Sequence, residues 1–303
     1  QLERVIFSYL PDSNTRTLAL QSGDIDIADY VAPESVPVLR NNPRLAVRAG
    51  EPIALEFLML NHRRELWRDA RVRRAIAMAI DRETLAKAVL RGQGSPAEGP
   101  IPPALLRCTQ LQALPFQVQQ ARQLLGQAGY QDRDAEGYLA KHGQTLGMTL
   151  VTYRQRPELP VIAEAVQASL KTIGIKVTIR LVESIEPALR GGDWDAATYF
   201  NNMVSTGDPY WALSQFFATG GSVNHGGYSN PRADTLIREL GITDGRASRD
   251  RLACTASEDI VQDAALVPLL YPFYNYGVAQ TVAGFDDPHP FQMYLLDSNL
   301  ARR

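Results

Sequence analysis

The stretch that most limits the fold is Ala54 to Leu105, ALEFLMLNHRRELWRDARVRRAIAMAIDRETLAKAVLRGQGSPAEGPIPPAL. It opens on an apolar run, Leu55 to Leu60, of strand length and bounded by polar residues. Asn61 and a charged turn follow. Asp69 then has the position of an N-cap for a helix through Ile80, with Val72, Ile76, Ala79 and Ile80 on one apolar face. Asp81 can cap a second helix, with Leu85, Ala88 and Val89 as its buried stripe and Gly92 as its stop. Gly94, Pro96, Gly99, Pro100, Pro102 and Pro103 force an extended exit.

The remaining elements alternate between strand and helix, which points to an α/β protein. Arg4 to Tyr9 reads as a strand, Thr15 to Ser22 as a short helix ended by Gly23, and Ile25 to Ile27 as a short strand. Asp24 and Asp26 mark a solvent face more simply than a metal pair. Leu45 to Arg48 is a strand leading into the Leu55 to Leu60 strand. Gln117 to Ala128 is amphipathic, Tyr130 to His142 a polar hairpin or insertion. Leu146 to Tyr153, Pro160 to Ile173 and Lys176 to Leu181 form a β-α-β run long enough for a parallel crossover. Ala196 to Phe200 is a strand that runs into the loop Asn201 to Pro209. Helices are expected over Tyr210 to Phe217, Pro231 to Leu240 and Ser248 to Ala264, and strands over Leu266 to Tyr271 and Tyr274 to Ala279.

Strand, Asn61, charged turn, Val72 to Ile76, Ala79 to Arg82 and the exit Gly94 to Pro103 together resemble the peptide/nickel class, family 5, of extracellular solute-binding proteins that feed ABC transporters. Members carry a "VRRAI-x-x-AIDR" helix and a "G-x-x-A-x-GPIPP" exit. Further similarity lies in FSYLPDSNTRTLALQSGDIDIA, in Ala163 to Val177, and in Asn224, Gly227, Tyr228, Asn230, Pro231 and Asp234. The resemblance implies two lobes around a cleft: an α/β, periplasmic-binding-protein-like fold (type II, cluster C), with mixed sheets, flanking helices and one lobe incomplete. Residues 1–60 and 275–303 would form the first lobe in part, and residues 61–274 the second. Family members are usually longer and precede this region with an opening strand and a small domain. Val282 to Leu296 would return the chain to the first lobe.

Composition narrows the function by exclusion. The 303 residues are 45% hydrophobic and 21% charged with a formal net charge of −2, so no nucleic-acid partner is implied. The arginines between Arg63 and Arg74 alternate with Glu65 and Asp69 and read as a solvated helix face. No uninterrupted apolar run reaches membrane-spanning length. The two cysteines, Cys108 and Cys254, leave a disulfide open, and free buried thiols are the simpler reading. No GxSxG, HExxH or CxxC motif appears. The four histidines lack metal-ligand spacing; His62 and His289 are expected to face water, and His142 to lie in the hairpin. Asp193 and Asp195 read as solvent-facing at a strand entrance.

The family resemblance places solute contacts in the loop after the Ala196 to Phe200 strand. The candidates are Tyr199, Asn201, Asn202, Met203 and Ser205, with His225 from the glycine-rich stretch and Arg154 as a carboxylate clamp. Asn offers donors and acceptors, Tyr a flat wall with a polar tip, and Met an adaptable apolar contact. Asn61 is expected near the hinge. Peptide binders of the family anchor the ligand's amine with an Asp shortly before an acidic-Pro pair. Here the pair is Asp208–Pro209 and Ser205 holds the anchor's place, so a charged amino terminus lacks its counter-charge in this loop. Met203 and Gly207 stand near the aromatic positions of nickel binders, whereas His225 matches their downstream His.

The expected function is capture of a small solute, peptide-like or nickel-chelate in type, and its delivery to the membrane permease of an ABC importer. No catalysis, cofactor or bound metal is expected. The chain is expected to be a monomer, periplasmic or extracellular, with a lipid anchor on the full-length protein as one arrangement. A sugar or opine binder, a ligand-sensing domain of a transcriptional regulator and a hydrolase are the competing readings.

Overall fold

The structure is a computed structural model that describes residues 2–203, 205–285 and 300–302. Helix α1 (Ser13–Ser22) is capped by Asp12, whose carboxylate accepts the Thr15 N–H, and is closed by Gly23 in the left-handed region at φ 87°. Strand β1 (Ile27–Ala28), helix α2 (Val36–Arg40) and strand β2 (Leu45–Gly50) follow. Strand β3 (Ala54–Leu60) is buried at every residue. Helices α3 (Ala70–Ala79) and α4 (Arg82–Leu90) are N-capped by Asp69 and Asp81, as their sequence predicts. On α4 the inward face carries Ala86 rather than Ala88, together with Leu85 and Val89.

After strand β4 (Gly94–Pro96) come α5 (Val118–Gln127) and a small sheet of β5 (Asp132–Arg133), β6 (Leu139–Lys141) and β7 (Gln144–Thr145). Strand β8 (Gly147–Tyr153), helix α6 (Glu158–Thr172) and strand β9 (Lys176–Val182) form the expected parallel crossover, with β8 and β9 in register from Gly147↔Lys176 to Tyr153↔Val182. Helix α7 (Ile185–Arg190) precedes strand β10 (Ala196–Asn202), and helices α8 (Pro209–Phe216), α9 (Pro231–Ile242) and α10 (Arg246–Gln262) lie before β11 (Leu266–Pro272) and β12 (Tyr274–Ala279). Strands β13 (Val282–Ala283) and β14 (Ala301–Arg302) pair with each other. Most of the expected return segment Val282 to Leu296, and His289, lie outside the described residues.

Two main sheets result. The larger has the order β4-β11-β3-β10-β8-β9, and the smaller the order β1-β12-β2. Both faces of β3 and β11 are covered, which is why each reads as a continuous apolar run. The small sheet has its own core of Leu20, Ala28, Val31, Val36, Leu39 and Leu45. Among the described residues the chain crosses between the sheets twice, at 51–53 and at Phe273, and these crossings sit side by side because Tyr274 pairs with Gly50. β3 therefore differs from the expectation that residues 1–60 lie together: its backbone pairs with β10 and β11 in the large sheet.

Several side chains also depart from expectation. Arg4 to Tyr9 is not a strand; no strand among the described residues pairs with it, and Ile6, Phe7 and Tyr9 are 69%, 77% and 90% exposed. Cys108 and Cys254 are disulfide-bonded, not free thiols, because the fold brings the loop after β4 against α10. His62 is half-buried, packed on the Tyr228 ring with Nε2 2.8 Å from the Ala265 carbonyl, rather than turned out to water. Arg73 is buried rather than solvated and donates to the Trp67 and Asp263 carbonyls, and Arg74 donates to the Gln262 carbonyl, so α3 arginines cap the end of α10. Asp195 accepts from Arg64 and from the Thr149 N–H, which takes it out of the solvent-facing role. Asn61, expected near a hinge, donates to the Trp194 carbonyl at the end of β3 opposite the crossings.

Candidate functional site

Alternation along β10 sends its residues to two different places. Phe200 stands opposite Glu56 of β3, and Tyr199 opposite Phe57. Neighbours across an antiparallel pair share a face, so one face carries Glu56 and Phe200 and the other Phe57 and Tyr199.

The first face lies at the seam between the two sheets. The Arg156 guanidinium is sandwiched between the rings of Tyr30 and Phe200, at 4.0 Å and 3.7 Å from their centroids. Arg156 is placed there by the turn from β8 into α6, and Tyr30 by the turn after β1. Tyr30 sits in the left-handed region at φ 51°, an expensive conformation for a bulky residue that only its surroundings can hold. Its hydroxyl donates to Glu158 Oε1 at 2.5 Å, in the first turn of α6. Tyr274 packs on Tyr30 with centroids 5.7 Å apart.

Beneath this stack lies Glu56, 0% exposed, in an otherwise apolar strand. Burial first, and then the charge of Glu158, hold the Glu56 carboxyl well above the usual carboxylate range. Burial followed by the same Glu158 charge raises the Tyr30 hydroxyl. Both Glu56 oxygens, Glu158 Oε2 and Arg156 Nη1 have no donor or acceptor partner among the described residues. Buried polar atoms without partners are rare in native structures, and here four of them gather at one seam.

The second face carries a smaller polar cluster. Glu186 accepts from the Tyr199 hydroxyl at 2.7 Å and lies 3.3 Å from His225 Nε2. Burial and the hydrogen bond to Glu186 raise the Tyr199 hydroxyl far above its ordinary value. His225 opens onto a groove of about 650 Å³ lined by Arg63, Arg64, Arg190 and the turns around Gly220 and Gly227.

The expected site residues thus fall in several places. Tyr199 and His225 meet at Glu186. Asn201 and Asn202 are half-buried at the end of β10 nearest the crossings, and Ser205 is half-buried just beyond. Met203 is fully buried, its N–H donating to the Ile53 carbonyl at 2.9 Å. Arg154 is exposed; the arginine at the seam is Arg156, two residues on. Tyr30, Glu56, Glu158 and Glu186 were not among the candidates. A lone acid inside ALEFLML was the available signal for Glu56. Among the described residues no group of His, Cys, Asp and Glu has the geometry to hold a metal ion, and no helix is long and apolar enough to cross a membrane.

A family model described as bacterial extracellular solute-binding proteins, family 5 Middle, matches residues 1–224. The nickel-binding protein NikA of Staphylococcus aureus is 29% identical over 277 residues, covering 91% of this chain and 53% of that one. The glutathione-binding protein GsiB of Pectobacterium atrosepticum is 28% identical over 274 residues, covering 87% and 51%. Among solved structures, Staphylococcus aureus NikA in complex with Ni(L-His)2 superposes with a TM-score of 0.82 at 26% identity, over 97% of this chain and 61% of that one. AppA of Bacillus subtilis in complex with a nonapeptide gives 0.82 at 26% identity, over 94% and 57%. The chain spans about half the length of the curated relatives it matches.

Proposed function

This chain belongs to the family 5 bacterial extracellular solute-binding proteins, and from that premise we propose that it is part of the substrate-binding component of an ABC importer. It captures a small solute between two lobes and hands it to a membrane permease. The first lobe is built on the small sheet and the second on the large sheet, with the paired crossings at 51–53 and Phe273 as the hinge. The protein works as a monomer outside the cytoplasmic membrane, without nucleic acid and without chemical conversion of its cargo.

The observation that carries this reading is Arg156, held between Tyr30 from the small-sheet side and Phe200 from the large sheet, with Nη1 unpartnered. An aromatic-walled guanidinium at the junction of two lobes is suited to orient a polar solute as the lobes close. Relatives named for nickel, glutathione and oligopeptide support the solute class: peptide-like or a metal chelate of an amino acid. The relatives are named for binding, which favours binding over hydrolysis.

The test is titration calorimetry of the full-length protein with dipeptides, oligopeptides, glutathione and nickel–histidine. Saturable heat with at least one supports the reading. Silence with all of them discards both solute classes.

A further inference from the structure

We propose that the buried carboxyl pair Glu56–Glu158 is the counter-charge for a cationic group of the solute, an ammonium, and that its arrival expels the proton the pair holds. The proposal rests on the solute-receptor reading above and names what that receptor recognises.

The loop that follows β10 contains no carboxylate between Tyr199 and Gly207. The acidic groups around it are already engaged. Asp208 takes both oxygens to Arg249 at 2.7 and 2.8 Å, and Glu186 accepts from Tyr199 and faces His225. An ammonium entering the cleft from this side finds no free anion there. The seam is different. Glu56 is 0% and Glu158 4% exposed, and three of their four oxygens lack a donor.

The groups facing the pair are few. Arg156 comes from the β8–α6 turn, Tyr153 from the end of β8, and Tyr30 from the small-sheet side; Asp29, beside Tyr274, is exposed. One guanidinium therefore faces two carboxyls. A buried site tolerates little uncompensated charge, so Arg156 balances one carboxylate and the other keeps its proton. Burial acting on Glu56 agrees with its being the protonated member.

Such a pair is a stored negative charge. When a solute ammonium comes within reach, the proton leaves to solvent, the second carboxylate forms, and two cations face two anions. Tyr30 covers the pair from the small-sheet side through its bond to Glu158, so separation of the lobes at the crossings uncovers it.

The experiment has two arms on the full-length protein. The first needs no ligand: infrared spectroscopy at neutral pH should show the carbonyl band of a buried protonated carboxyl that Glu56→Gln removes. A wild-type spectrum without that band overturns the proposal. The second is calorimetry, in buffers of different ionisation enthalpy, with a dipeptide, its carboxamide and glutathione, each beside its N-acetylated counterpart. The free amines should bind about tenfold or more tightly than the acetylated forms, release close to one proton, and lose that release in Glu56→Gln. Equal binding of amine and acetylated probes, or binding without proton release, overturns the counter-charge role and leaves the receptor reading standing. Heat from none of the probes overturns both.

Discussion

The hydroxyl of Tyr30 donates to Glu158 Oε1 at 2.5 Å, tying the turn beside the small sheet to the first turn of α6 in the large-sheet unit. Among the described residues the two sheets are joined by a pair of adjacent crossings, and a buried tie across them should register in stability. Tyr30→Phe keeps the ring on Arg156 but leaves a buried carboxylate oxygen without its donor. The expected loss is about 1–3 kcal/mol, read as a lower urea midpoint, and an unchanged midpoint would contradict it.

The Cys108–Cys254 bond closes a separation of 146 residues. Cross-linking so long a loop restricts the unfolded chain, and a native disulfide of this kind is worth about 2–4 kcal/mol. Reductant should lower the melting temperature of the wild-type protein and leave that of a Cys108→Ser/Cys254→Ser variant unmoved. Equal melting of the wild type with and without reductant would refute the expectation.

His62 is half-buried and its pKa is lowered to about 4, chiefly by desolvation. The unfolded chain, with His near its ordinary value of about 6.5, takes up the proton first as the pH falls. Stability is therefore full above the unfolded value and drains away from there down toward the folded one, by roughly 3 kcal/mol in all. Urea midpoints measured across that acid window should fall in the wild type and fall less in His62→Gln. Parallel pH profiles would rule His62 out as the cause.

A Cβ on Gly226 would lie 2.2 Å from the Leu60 carbonyl oxygen, a backbone atom that cannot move aside cheaply. Gly226→Ala should cost about 1–3 kcal/mol and disturb the turn that holds His225. Denaturant unfolding checks the first, and the His225 proton resonances the second.

Much of this fold is legible in the sequence where local signals are strong. Asp69 and Asp81 announce the starts of α3 and α4, Gly23 ends α1, and the apolar run before Asn61 is a fully buried strand. What the sequence hides is long-range. The pattern in Arg4 to Tyr9 suits a strand, yet a strand exists only where another backbone lies alongside. Arg73 and His62 carry polar labels, but the neighbouring end of α10 and the Ala265 carbonyl give them buried partners no window of local sequence contains. The seam was missed for the same reason. Arg154 and Arg156 are indistinguishable by composition, and only the α6 turn and the rings of Tyr30 and Phe200 select the second. The disulfide likewise depends on a loop meeting a helix far along the chain.

On the receptor reading, Arg156 helps hold a solute that leaves chemically unaltered. Equilibrium dialysis of the full-length protein and of Arg156→Met against a dipeptide, glutathione and nickel–histidine, followed by mass spectrometry of the recovered solute, tests it most directly. The account predicts stoichiometric retention of at least one solute by the wild type, recovery of that solute intact, and affinity weakened about tenfold or more in the variant. A solute returned in altered form, or retained equally well by Arg156→Met, would contradict it.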